Sequence, residues 1–390
     1  MGSTSSSSPS SSAASVMSKN LSDRHILLAT AQRVIKKKGS YGPYAVGSRL
    51  RKQLINVGIL RGIYIHVTAT VNNTAAAGSG DTVIPTTKAP YNLLSNISVI
   101  DYSGTRRINA SGYQVWCIES IKQMKPQGIF VPGTQSYQSP GLPAYATPKV
   151  PTPAAGASAT LDFLLYIPVA YERNSNLAGA LPMQSVNGQA FLELEFNSGA
   201  FGTDTDAVYT TSSGGSGTIT DINVSIYQDV LSPTQFSGNA PIVPMLDVST
   251  IYELNGTLST TSNLNAGQEK LIDYPNDRTI YSTTIEFVNG GLMQSGNLSQ
   301  IRQIVNANSY PIEMSEAVYS EMIRMGVGFD LPAGTYYLSD RHLPVDTVVY
   351  GNYQWGLTPI AISNGNTKMN VLFESMYQVG AGPLAGLSQG

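Results

Sequence analysis

The sequence predicts an all-β protein made of two successive β-sandwiches, and three observations carry that prediction. Apolar side chains recur with period two in segments such as GIYIHVTATV (62–71), which is the signature of half-buried strands. Composition agrees, with 22 Tyr against 9 Phe and many Thr, Ser, Asn and Gly, a mix suited to short strands joined by polar loops. The strand series also breaks once, near SPTQFSGNAPIVP (232–244), and a second series follows that closes much as the first does.

At 390 residues the chain is long enough for two ordinary domains. Residues 1–17, MGSTSSSSPSSSAASVM, are too poor in bulky apolar residues to fold and lack the apolar core of a signal peptide. A helix is predicted next, over Asp23–Lys38. Ser22 serves as its N-cap, with Leu27, Ala31, Val34 and Ile35 at helical spacing, Lys36, Lys37 and Lys38 at its negative end, and Gly39 just beyond. Such a helix would span roughly 24 Å. It belongs to a basic arm over 18–61.

The first series of strands then runs through 62–71, LSNISVIDY (94–102), YQVWCIESI (113–121), TLDFLLYIPVAY (160–171), QAFLELEF (189–196) and ITDINVSIYQDV (219–230). Long Pro/Gly/Ser/Thr stretches at 131–158 and 198–218 read as surface loops. The first sandwich occupies 62–231, a linker 232–250, and the second sandwich with its tail 251–390. In the second half, 278–290, 298–307, 334–340, 345–355 and 367–377 read as strands. EMSEAVYSEMIRMG (313–326) has helical spacing at Met314, Val318, Met322 and Met325, a stripe expected to pack into a core.

Charge is thin and unevenly placed. Only 12% of residues are charged, with 23 Lys+Arg against 25 Asp+Glu. From Lys19 to Arg61 there are ten basic residues and one acid, Asp23; the remainder holds thirteen basic and twenty-four acidic residues. A +9 arm therefore sits on a −11 body, and a basic arm usually faces a polyanion such as nucleic acid or an anionic lipid surface.

No catalytic constellation emerges. The three histidines, His25, His66 and His342, are scattered, and His66 reads as a half-buried strand residue. No metal-binding His spacing or phosphate-binding loop is present, and GLSQG (386–390) lacks the helix that a nucleophile elbow requires. Glu193 and Glu195 share one strand face and read as an outward acidic stripe. Asp204 and Asp206 lie outside any calcium-loop pattern. Cys117, the single cysteine, excludes an intramolecular disulfide and reads as a buried, inert thiol. Neither an enzyme nor a cofactor nor a metal is expected.

Three segments in order resemble the double jelly-roll major capsid proteins of tectivirus-like, internal-membrane bacteriophages. LLYIPVAYERNSNLAGALPMQSVNGQAFLELEFN (164–197) looks like the family's apolar strand, L-x-G-A turn and Leu-Glu-Phe-Asn strand. PMLDVSTIYELNGT (244–257) is similar to its interdomain segment, and LPAGTYYLSDRHLPVDTVVYGNYQWGLTP (331–359) to the aromatic strands of its second domain.

The resemblance implies two tandem eight-stranded jelly rolls with an N-terminal amphipathic helix and a few short helices. It implies homotrimers that tile, with penton and minor capsid or membrane proteins, an icosahedral shell around an internal membrane and double-stranded DNA. On that reading the protein is made in the host cytoplasm and resides in the virion. Arg33, Lys36, Lys37 and Lys38 would face lipid, and Arg49, Arg51 and Lys52 would bridge to a neighbouring subunit, with no sequence-specific nucleic-acid binding. Two other readings compete: a shell protein whose arm holds the genome directly, and a carbohydrate-binding or carbohydrate-cleaving phage β-sandwich using Glu193 and Glu195.

Overall fold

The computed structural model describes residues 31–122, 129–130, 137–138, 149–171, 177–183, 188–211, 216–232, 236–237, 240–241, 250–257, 264–274, 277–306, 309–339, 345–347, 353–363 and 367–378. Among the described residues sixteen strands have four residues or more, eight in each half of the chain. The first eight are β1 (Gln32–Tyr44), β2 (Arg49–Gln53), β3 (Ile59–Asn73), β4 (Leu94–Ile100), β5 (Arg106–Ala110), β6 (Ser158–Pro168), β7 (Phe191–Phe196) and β8 (Gly217–Ser232). The second eight are β9 (Thr250–Thr257), β10 (Lys270–Asp273), β11 (Thr279–Asn289), β12 (Leu298–Val305), β13 (Ser309–Met314), β14 (Thr335–Ser339), β15 (Tyr353–Pro359) and β16 (Lys368–Gln378). Among the described residues two α-helices interrupt them, α1 (Gly112–Lys122) and α2 (Glu316–Val327).

In the first sandwich, β1, β8, β3 and β6 form one sheet in that order. Strand β3 shows why: Ile63, Ile65, Val67, Ala69 and Val71 are buried, while Tyr64, His66, Thr68 and Thr70 on the opposite face are half-exposed. The facing sheet runs β2–β7–β4–β5 and continues without interruption into the second half through β9, β16 and β11. The join is a short parallel pairing of β5 and β9, Ile108 opposite Leu254 and Asn109 opposite Asn255. The second sandwich is closed by β10–β15–β12–β13. Its core includes Trp355, Phe287, Ile285, Leu338 and Tyr353. This is the double jelly-roll architecture expected from the resemblance.

Four expectations need correction. Residues 32–38 are not helical but form the start of β1, which pairs antiparallel with β8 from Gln32–Ser232 onward. Without β1, β8 would be an open edge along sixteen residues, and pairing there overrides the helical spacing of Val34 and Ile35. Gly39 marks a bulge, where the register slips between Lys37 and Gly39, and not a helix end. The N-terminal part of that expected helix, Asp23 to Thr30, lies outside the described residues. The basic arm is thus built into the first jelly roll from Gln32 on.

The segment 113–121 is helix α1, not a strand, and every residue from Gly112 to Ile121 is buried. A short apolar run has no period that separates a buried strand from a buried helix. A capping box settles it: Ser111 Oγ accepts from the Gln114 N–H at 3.2 Å, and Gln114 Oε1 accepts from the Ser111 N–H at 3.0 Å.

Helix α2 forms where expected. The Ser315 side chain caps it by accepting from the Val318 N–H, and Gly328 ends it in the left-handed region at φ 85°. Of the expected Met stripe only Met314, which ends β13, packs against the second core. Val318, Met322 and Met325 point outward, Met325 being 80% exposed, while Tyr319 and Val327 face in. Finally, the stretch 198–218 is more than a surface loop, because Val208 and Tyr209 are fully buried within it.

Candidate assembly interface

The basic residues of β1 and β2 divide into those with acidic partners and those without. Arg33 sends Nε to Asp229 Oδ1 at 3.0 Å and donates to the Tyr64 hydroxyl at 3.0 Å. Asp229 is fully buried and also receives Arg61 at 2.9 Å, so two guanidiniums neutralise one carboxylate. Arg33 is thereby held above its usual range, chiefly by the bond to Asp229. Lys36 and Lys37 are exposed on β1, Lys38 is half-buried at the bulge, and Lys37 lies 5.9 Å from the Tyr227 ring. Among the described residues none of these three lysines is in an ion pair.

On β2 the pairing register sets Glu193 opposite Arg51 and Glu195 opposite Arg49 on β7. Arg49 meets Glu195 at 3.0 Å, and Arg51 meets Glu193 at 3.1 Å while lying over the Phe191 ring. Lys52 sits 4.4 Å from the Tyr41 ring centre. The structure thus brings Arg49 and Arg51 together on one face of β2, with acidic partners inside the same chain, and sets Lys52 on the opposite face. Glu193 and Glu195 are half-exposed and neutralised by arginines, an acidic stripe and not an acid–base pair.

The seam between the two jelly rolls holds what the sequence did not reveal. Lys88, in the loop before β4, is buried and reaches Glu286 of β11 at 2.6 Å and Asp206 at 3.1 Å. Lys368 of β16 closes on the same Asp206. Burial pulls the Lys88 ammonium down, but the two carboxylates more than offset that and hold it above its usual value. Burial alone would raise Asp206; the two lysines instead hold it below the usual carboxylate range.

A second buried cluster lies at the end of α1. Lys122 pairs with the fully buried Glu374 of β16 and donates to the Tyr252 hydroxyl at 2.7 Å. Glu374 also accepts from Tyr252 at 3.0 Å and from Ser282 at 2.5 Å. Tyr113 of α1 hydrogen-bonds Thr335 of the second half at 2.9 Å. Each cluster therefore joins side chains from both sandwiches. Opening the seam would leave buried charges unpaired, at a cost of several kcal/mol each. A faint signal existed in the sequence: Glu286 and Glu374 are the single acids of their strands, each followed or preceded directly by Phe.

Cys117 is buried near Tyr113 and Glu286, and burial pushes its thiol well above the ordinary value. His66 is half-exposed and bonded to Asp162 at 2.6 Å. His25, His342 and the 386–390 segment lie outside the described residues. Among the described residues no cluster of three or more His, Cys, Asp or Glu could hold a metal, and no helix is long and apolar enough to cross a membrane.

A seam tied by charge pairs and a continuous sheet makes one two-sandwich block. Comparisons with known proteins agree. The structure superposes on the crystal structure of the STIV major capsid protein with a TM-score of 0.63 at 12% identity, covering 89% of this chain and 97% of that one. It also matches the PBCV-1 virus capsid protein with a TM-score of 0.54 at 13% identity, over 89% and 95% of the two chains. The major capsid protein P3 of Enterobacteria phage PRD1 is 27% identical over 369 residues, 92% of this chain and 91% of that protein. The N-terminal family model of the P3 major capsid protein matches residues 40–233 and its C-terminal model residues 249–382. The chain therefore belongs to the P3 major capsid protein family and is a structural, non-enzymatic component of a virion capsid.

Proposed function

We propose that three copies of this chain form a pseudo-hexagonal capsomer whose six sandwiches tile an icosahedral shell around an internal membrane and a double-stranded DNA genome. The observation that carries the reading is the uninterrupted sheet from β2 to β11, which fixes two sandwiches side by side in one block. Three two-lobed blocks around a threefold axis give a six-lobed tile, the shape that packs a closed surface without gaps. The thin charge complement also suits many copies at close quarters, since like-charge repulsion stays low.

The exposed Lys36 and Lys37 and the half-buried Lys38 support contact with anionic lipid head groups, each worth about 1 kcal/mol near a membrane surface. The exposed Arg49 and Arg51 can extend their pairing to acids of a neighbouring copy, while the half-buried Lys52 stands on the other face of β2. Penton and minor proteins would complete such a shell after synthesis in the host cytoplasm. Electron-microscopy class averages of the purified protein test the tile: a hexagonal, six-lobed outline supports it, and isolated two-lobed particles contradict it. Reversing the three lysines to glutamate is expected to abolish sedimentation with anionic vesicles; unchanged sedimentation removes lipid from the proposal.

A further inference from the structure

The outward stripe on α2 is an unusual feature for a helix at the edge of a folded body. Val318, Met322 and Met325 lie at i, i+4 and i+7, so they form one line about 10 Å long. They are 59%, 45% and 80% exposed, whereas the other side of the helix packs through Tyr319 and Val327. Around them the charges are satisfied locally, since Arg324 pairs with Glu321 and lies 3.9 Å from Asp330. An exposed methionine line framed by paired charges is the composition of a contact surface.

A matching concavity exists on the other jelly roll. A groove of about 640 Å³ runs between the end of β1 and the start of β8, walled by Pro43, Tyr44, Val46, Phe201 and Ile219, with Asp221 at its rim. Its floor is preformed. Tyr44 stacks on Phe196, Phe201 stacks on Tyr209, and a Cβ at Gly217 would lie 2.2 Å from the Phe201 ring. No residue of α2 lines the groove.

Both patches sit at the same end of the molecule. The loop that carries Phe201 into the groove wall carries Thr205 to the Gly291 carbonyl at 2.8 Å, beside the turn after β11. A few residues on, the Glu316 carboxylate of α2 accepts from the backbone N–H groups of Gly296 and Leu298, both at 2.7 Å. Knob and groove are therefore at one level on two different jelly rolls. A contact between the knob of one chain and the groove of the next would therefore need no shift along the sandwiches. Such a contact joins unlike patches, and repeated around an axis it closes into a ring.

We infer that the Val318–Met322–Met325 face of α2 docks into the Tyr44–Phe201–Ile219 groove of an adjacent copy. The inference deepens the trimeric reading and rests on it. It fixes which surfaces meet, second jelly roll to first, in every interface of the capsomer.

Cysteine cross-linking of the full-length chain tests it, because the native Cys117 is buried and silent. With Met325→Cys and Thr220→Cys combined, a short bismaleimide should give covalent dimers and trimers on a denaturing gel, while neither single variant does. Met325→Glu should weaken the trimer by tenfold or more without lowering the melting temperature, since the side chain is exposed. A trimer by light scattering that yields no linkage, or that tolerates Met325→Glu, overturns this inference and leaves the trimeric reading intact. A chain that stays monomeric at every concentration overturns both.

Discussion

Lys88 and Glu286 belong to different jelly rolls, yet their Nζ and Oε2 atoms lie 2.6 Å apart, with side chains only 5% and 2% exposed. One lysine thus neutralises an acid of the opposite sandwich and, through Asp206, connects to Lys368 of the last strand. Beyond its continuous sheet, the block is held together by the nearly water-free pairs Lys88–Glu286 and Lys122–Glu374, the first extended to the part-exposed Asp206 and Lys368.

Lys88→Met is expected to destabilise the protein by about 3–5 kcal/mol, because it strands the Glu286 carboxylate in a buried site. Lys88→Met combined with Glu286→Leu should cost less than Lys88→Met alone, since no charge is then left unpaired at that pair. Chemical denaturation of the native chain and the two variants measures the difference; a double variant less stable than Lys88→Met contradicts the pairing.

The same cluster gives stability a pH dependence. Asp206 is held below its ordinary carboxylate value in the folded chain, so the unfolded chain binds its proton first as pH falls. The stabilisation is complete above the unfolded carboxylate range and is lost as pH drops through that range toward the depressed folded value. Lys88 behaves oppositely: its raised value makes its contribution complete below the ordinary lysine range and lost at more alkaline pH. Melting temperature measured from neutral to acid pH should fall, and Asp206→Asn should flatten that fall; an unaltered slope would argue against Asp206 as its source.

Helix α1 depends on its capping box. Ser111→Ala removes the acceptor for the Gln114 N–H and should cost about 0.5–2 kcal/mol. Thermal denaturation checks this, and a neutral substitution means that packing alone holds the helix.

Much of the fold was legible from period and punctuation. The alternation at Ile63, Ile65 and Val67 marked β3 because one face of that strand meets a core and the other meets solvent. Two features were hidden for physical reasons. Gln32 to Lys38 carry helical spacing, but the open edge of β8 decides their state, and that edge is a tertiary fact. For α1 the sequence did hold a clue, Ser111 and Gln114 three apart, which the continuous apolar run after it masked. The seam was less legible still. Lys88, Asp206, Glu286 and Lys368 are far apart in sequence, and only the join of the two sandwiches along β5 and β9 brings them to one place. The outward turn of Met322 and Met325 shows the limit of reading a stripe: spacing tells that residues share a face, and packing tells which way the face points.

Cys117 gives a simple probe of the same packing. Its thiol is buried and pushed well above the ordinary value, so it should resist a disulfide reagent in the folded protein and react in full once denaturant is added. Rapid reaction without denaturant would show that α1 is not seated between the sandwiches.

In the proposed capsomer one chain supplies two of six lobes, and its mass in solution tests that most directly. Size-exclusion chromatography with light scattering should return a trimer of about 125 kDa, three times the 41.5 kDa chain, stable on dilution. A single species of 41.5 kDa at all concentrations would contradict it.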